Sequence, residues 1–152
     1  MSHVVRSSVV AAPAPVVWSF VSTLRGVNYE LMPLCRMREP RALRGRSLES
    51  WEPGERAVCW LLAGGILPFD RHALGLESVD PGVGFVEEST TWLQRRWRHE
   101  RTLTPEGDGT RITDHLTIEP RFPRADSSTG WVVGRLFDHR HRRLRKRFGS
   151  QP

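Results

Sequence analysis

The sequence predicts an α+β fold: a curved antiparallel sheet of six or seven strands around a long C-terminal helix, with two short helices after the first strand. Three observations predict it. Between Arg56 and Glu119 five β-favouring segments follow one another, most of them separated by turn residues, which is the pattern of an antiparallel meander. Beyond Pro123, Val133, Phe137, Leu144 and Phe148 recur at helical spacing, with arginine and histidine on the remaining face. The 152 residues suit one hydrophobic core, so residues 1–152 are expected to form a single domain.

The elements follow in order. Val4 to Val10 is valine-rich and loosely alternating, which favours a strand because β-branched side chains suit a pleated surface. Pro13 and Pro15 then interrupt, and Val16, Val17, Phe20, Val21 and Leu24 mark a short helix ending near Gly26, with a proline tolerated in its first turn. Asn28 to Leu34 predicts a second short helix. Arg36 to Trp51 has poor periodicity and reads as extended chain that can hold an edge strand. The meander comprises Arg56–Leu62, Asp70–Val79, Gly84–Thr91, Arg95–Thr104 and Thr110–Glu119. Gly64-Gly65 with Pro68, Asp80-Pro81-Gly82 and Pro105-Glu106-Gly107-Asp108 supply the turns. The helix is expected from about Ser127 to Phe148, and alternate residues Val58, Trp60 and Leu62, together with Phe85, offer it an apolar surface.

Composition narrows the function classes. The net charge is +6, but Arg140, Arg142, Arg143, Arg145, Lys146 and Arg147 account for all of it, leaving the rest of the chain balanced. A solvated helix end complementing the helix dipole explains such a block, with weak contact to an anionic surface as the other reading, and no specific nucleic acid is expected. Cys35 and Cys59 stand far apart with no CxxC companion, so buried free thiols are expected rather than a disulfide framework or a zinc site. Charges break every window long enough to cross a bilayer, and the apolar stretch Val9–Val17 has no cationic leader, so a cytoplasmic protein is expected. No glycine-rich phosphate loop, GxSxG elbow, HExxH or paired-carboxylate signature is present, and no cofactor is expected.

Several phrases resemble one family. SSVVAAPAPVVWSFVST, with Pro15, Val16, Val17, Trp18 and Phe20, looks like the opening strand and helix start of the START-like superfamily, also called SRPBCC. GGILPFDRHALGL resembles its central hairpin, and GFVEES, WRHERTL, GTRITDHLTIEP and LFDHRHRRL resemble the later strands and terminal helix of its bacterial members. The resemblance covers nearly the whole chain and is carried by the order and spacing of these phrases. It implies a helix-grip fold with an apolar cavity between helix and sheet, and a ligand such as a lipid or a polyketide. It fixes the fold far better than the ligand.

The last hairpin places side chains without the family. If Pro105 to Asp108 form a four-residue loop, residues whose numbers sum to 213 lie opposite one another. His99 then faces Asp114, Trp97 faces Leu116, Arg101 faces Ile112 and Leu103 faces Thr110, on a mostly apolar face that should be the concave one. A carboxylate beside an imidazole suits general acid/base work, and it equally serves to satisfy two buried polar groups. His72 and Leu74 on one strand, with Phe85 and Glu87 on the next, are expected at the same cavity, and Trp60, Val133 and Phe137 complete the expected ligand-binding set. Arg101 is a candidate for holding a ligand carboxylate. Trp18, Trp60, Trp92, Trp97 and Trp131 serve as core filler or as walls for a flat ligand. His72, Glu87, His99 and Asp114 come from separate strands without diagnostic metal spacing, and His139 and His141 point apart on their helix, so no metal is expected. The leading expectation is binding or carriage of a small hydrophobic ligand. An aromatase/cyclase or dehydratase using His99 and Asp114 is the first alternative, and an interaction module acting through the basic helix end is the second.

Overall fold

The computed structural model describes residues 1–151. The valine-rich opening is strand β1 (Ser2–Val10), and the two helices that follow it are α1 (Ala14–Val21) and α2 (Leu24–Leu31). The break between them falls before Gly26, the boundary the periodicity predicts. Thr23 leaves helical geometry and its side-chain oxygen accepts the Gly26 amide, an N-cap that starts α2 four residues earlier than expected. Gly26 is required there, because a Cβ at that position would lie 2.0 Å from the carbonyl oxygen of Phe20.

The segment with poor periodicity contains strand β2 (Cys35–Arg38) followed by two short 3₁₀ turns. The meander then runs through β3 (Arg56–Ala63), β4 (Leu67–Asp80), β5 (Gly84–Thr91), β6 (Gln94–Glu106) and β7 (Gly109–Pro120). All seven strands form one antiparallel sheet in the order β1-β7-β6-β5-β4-β3-β2. Register shifts at Leu61/Leu62, Leu76/Ser78 and Gln94/Arg96 interrupt the ladder, and such bulges bend strands and increase twist. Pro68 lies inside β4 rather than in the turn, which Gly64 and Gly65 form at φ +61° and +84°.

Two readings of side-chain placement need correction. The β6–β7 connection is a two-residue turn, Gly107-Asp108, with Glu106 paired to Gly109 and Gly107 at φ +58°. Glycine at positive φ in the first central position suits such a tight turn, so the strands pair two residues further than a four-residue loop allows. Opposed residues therefore sum to 215: Trp97 faces Ile118, His99 faces Leu116, Arg101 faces Asp114 and Leu103 faces Ile112. A shift of two preserves the face, so the same side chains still look inward. On β3 the inward residues are Ala57, Cys59 and Leu61, whereas Val58, Trp60 and Leu62 look away from the core. RAVCWLLA is apolar at nearly every position, so alternation had no polar side from which to choose a face.

Helix α3 (Asp126–Phe148) lies across the concave face. Phe137 and Leu144 are fully buried and Val133 nearly so, and Phe137 packs with Val4, Leu116 and Ile118. Leu144 packs with α1 and the β6–β7 end through Val17, Val21, Leu103 and Ile112. No described helix is long and apolar enough to cross a membrane.

Candidate functional site

One half of the concave face is hollow. A cavity of about 780 Å³ lies between α3, α2 and the strands from β2 to β6, within the size range of sites for small organic ligands. Its walls are mainly apolar, among them Leu31, Met37, Leu61, Leu74, Phe85 and Phe137. Polar side chains line it on two sides: Asp70, His72, Glu87, Gln94 and His99 on the sheet floor, and Arg135, His139, Arg140 and Arg142 on α3.

His72, Glu87 and His99 have defined partners. His72 Nε2 lies 2.7 Å from Glu87 Oε1, which also accepts the Ser89 hydroxyl at 2.6 Å. The other Glu87 oxygen lies 3.7 Å from His99 Nδ1. Burial raises the carboxyl of Glu87, but the imidazoles of His72 and His99 outweigh it and hold the group below the ordinary range. His99 is wedged edge-on between Phe85 and Phe137, with ring centroids 5.2 and 5.1 Å away. Its Nε2 lies 2.7 Å from Asp114 Oδ1. Both nitrogens of His99 are thus turned to carboxylates. His72 Nδ1 has no hydrogen bond to protein, and the one sealed side-chain polar atom without a partner among the described residues is Gln94 Oε1. His72 therefore keeps a ring nitrogen for the cavity.

Behind the floor lies a sealed ionic cluster. Arg101 is 1% exposed, and Glu30 and Asp114 are fully buried. The Arg101 guanidinium donates to Asp114 through Nε and Nη2 at 2.7 and 2.8 Å, and to Glu30 through Nη1 and Nη2 at 2.7 and 2.9 Å. Arg140 Nε adds a third bond to Glu30 at 2.8 Å. Burial raises both carboxyls, but Arg101 outweighs it and holds Asp114 well below its usual value, and Arg101 with Arg140 lowers Glu30. On the far side His141 Nε2 lies 2.9 Å from Asp114 Oδ2, and His141 Nδ1 lies 2.5 Å from Ser8 Oγ.

Of the residues expected to bind ligand, His72, Leu74, Phe85, Glu87, Trp97, His99, Val133 and Phe137 line the cavity. Arg101, Ile112, Asp114 and Leu116 point inward but are packed beneath the helix, outside the lining. Arg101 has both faces of its fork committed to carboxylates of the protein. Trp60 stacks edge-on with Trp92 on the other face of the sheet, ring centroids 4.9 Å apart. Trp18 is core, while Trp97 and the largely exposed Trp131 line the cavity. Cys35 and Cys59 are buried free thiols, and burial pushes the Cys59 thiol up to about 11. Among the described residues no group of three His, Cys, Asp or Glu is placed to hold a metal ion.

Glu30, Arg140, His141 and Ser8 went unnoticed as site residues. Glu30 had a signal: it lies on the stripe Leu24, Val27, Leu31, where a carboxylate requires a buried cation. The basic block is less solvated than its composition implies. Arg140 is internal, Arg143 stacks on Tyr29 at 4.1 Å, and Arg147 covers Phe20 at 3.8 Å.

Known structures share this architecture at low sequence identity. A protein CV1439 from Chromobacterium violaceum superposes with a TM-score of 0.69 at 15% identity, covering 99% of this chain and 100% of that one. A START superfamily protein from Mycobacterium smegmatis gives 0.67 at 16% identity, covering 97% of each chain. DynU16, from the dynemicin biosynthetic locus, gives 0.63 at 15% identity; it covers all of this chain, which spans 50% of DynU16. The fold is START-like, as the sequence phrases implied. No curated protein matches the sequence. A family described as a domain of unknown function, DUF8410, matches residues 8–148, and the chain belongs to that family.

Proposed function

We propose that the protein binds a small hydrophobic molecule, of lipid or polyketide-like chemistry, between α3 and the sheet. The observation that supports this reading is the cavity of about 780 Å³, mainly apolar on its walls with polar side chains on the sheet floor and along α3. Apolar walls provide the affinity, at about 25 cal/mol per Å² of apolar surface withdrawn from water. Polar groups on the floor, among them His72 and Glu87, and on α3, among them Arg135 and His139, orient the ligand.

Native mass spectrometry of the purified protein, followed by solvent extraction, tests the reading. A co-purifying apolar molecule supports it. An empty protein that also fails to bind a panel of apolar dyes overturns it.

A second reading, acid/base catalysis of the cyclase or dehydratase type, has its own observation. His72 presents Nδ1 to the cavity while its Nε2 is backed by the Glu87 carboxylate, the arrangement that orients an imidazole as a general base. His99 and Asp114, the pair the sequence suggested for this role, are bonded to each other and to other protein groups. In this reading His72 meets the substrate and the deeper pair holds the chain behind it. Turnover of a candidate substrate that survives His72→Phe would remove it.

A further inference from the structure

The cavity floor holds a carboxylate that the fold does not complete. Asp70 is 3% exposed and lines the cavity. Its Oδ1 accepts the backbone amides of Arg71, Trp92 and Leu93 at 2.8, 2.9 and 3.3 Å, which ties the β5–β6 turn to β4. Its Oδ2 accepts no hydrogen bond among the described residues, and no cationic side chain among them forms an ion pair with either oxygen. The other buried acids differ. Glu30 and Asp114 face Arg101, and Glu87 faces His72 and His99.

His72 lies two residues along the same strand, so its side chain shares the inward face with Asp70. Its Nε2 meets the Glu87 carboxylate, which only accepts, so the ring proton is assigned to Nε2 and Nδ1 is left as a lone pair. Trp97 stands beside it, ring centroids 6.1 Å apart, and also lines the cavity. Two acceptors thus share one strand face beside an aromatic ring. Water serves both while the cavity is open. A ligand that fills the cavity removes that water, and without a donor at this point it leaves a buried carboxylate unmatched.

Charge narrows the ligand class further. An alcohol offers one donor and no counter-charge, and the anion of a carboxylic acid is repelled by Asp70. A primary amine keeps its proton at neutral pH and brings three N–H donors with a positive charge, which strengthens each bond to a carboxylate and suits an aromatic neighbour. The protein's own cations at the cavity do not fill this role. Arg140 is spent on Glu30 and Arg46 on Glu55, and Arg135 and Arg142 are exposed on α3. We propose that the cavity takes an amphiphilic primary amine, its ammonium donating to Asp70 Oδ2 and His72 Nδ1 and its apolar body lying against Leu74, Phe85 and Phe137. The assignment rests on the cavity being a binding site and names the chemistry of the ligand's polar end. His72 acts here as a neutral imidazole, since an imidazolium would set a second cation against the first.

Displacement of Nile red, an uncharged apolar dye, tests the assignment with ligands that share one decyl chain: decylamine, decyltrimethylammonium, 1-decanol and decanoate. In the wild type at neutral pH, decylamine should displace the dye at a concentration about tenfold below that of each of the others. Decyltrimethylammonium keeps the charge but has no N–H, so it separates charge from hydrogen bonding. The protein carries a net charge of +6, so unspecific attraction favours decanoate and works against the expected order. Asp70→Asn retains a side-chain oxygen for the three backbone amides, and in it the lead of decylamine over decanol should shrink to about threefold or less. A lead that survives this substitution overturns the assignment. So does any of the other three ligands equalling decylamine in the wild type, a comparison that needs no variant to fold. Nile red that finds no site counts against the cavity reading, and the amine falls with it; a bound dye that decylamine displaces no better than decanol overturns the amine alone.

Discussion

The two halves of the sheet bury polar groups in opposite ways. At the β1-β7-β6 end α3 lies close on the sheet, and the charges there are matched: Arg101, Glu30, Asp114 and Arg140 exchange five hydrogen bonds, and of the four only Arg140 borders the cavity. At the β4-β3-β2 end the helix stands away from the sheet and the floor keeps an unspent atom, His72 Nδ1. The difference teaches that one fold separates scaffold from site by saturation. Where every lone pair and proton is used, a group holds the structure together. Where one is left over beside a cavity, it is available to a ligand.

The comparison breaks most severely at Arg101. Arg101→Met leaves Glu30 and Asp114 buried with much of their compensation gone, and the loss of stability should reach about 3–5 kcal/mol. Chemical denaturation checks it, and a variant within 1 kcal/mol of wild type, roughly, would show that water or rearrangement replaces the guanidinium.

Acid attacks the buried carboxylates of both halves. Glu30, Asp114 and Glu87 have folded-state values below their ordinary ones, so their stabilising contribution is fully present above about pH 4–5 and is lost as pH falls through and below the unfolded carboxyl values. Thermal unfolding between neutral pH and pH 3 should show the midpoint falling steeply at the acid end, and the fall should be shallower in Glu30→Gln if that variant folds.

Filling the hollow end sharpens the contrast. Leu74→Trp enlarges a side chain that packs at the edge of the Cys59 cluster and faces the cavity, so the fold should change by less than about 1.5 kcal/mol while affinity for an apolar dye falls tenfold or more. Loss of both together would mean that the hollow is needed for folding. The smallest effect is expected on the outer surface. Arg145→Ala removes a side chain with no hydrogen-bond partner among the described residues and should alter stability by no more than about 0.5 kcal/mol.

Much of this architecture was legible in the chain. Alternation and turn residues marked the meander, and the Val133–Phe137–Leu144 stripe marked α3, because burial on one face of a strand or helix is written in period 2 or 3.6. The inward face of β6 and β7 was readable too, since an error of two residues does not change a face. What failed was local choice. RAVCWLLA carries no polar alternate to reveal which side is inward, and the tightness of the Gly107-Asp108 turn was hidden by three neighbouring turn-forming residues, Pro105, Glu106 and Gly109.

The sequence by itself determined the order of elements, the single α3 face that must be buried, and the presence of histidines and carboxylates on inward strand positions. The tertiary structure alone decided which of these meet. Glu30 and Arg101 are 71 residues apart and His141 and Asp114 are 27 apart, and no periodicity links them. Their pairing follows from the register of four strands and the seat of two helices, because a charge withdrawn from water must find its partner wherever packing brings one within hydrogen-bond reach.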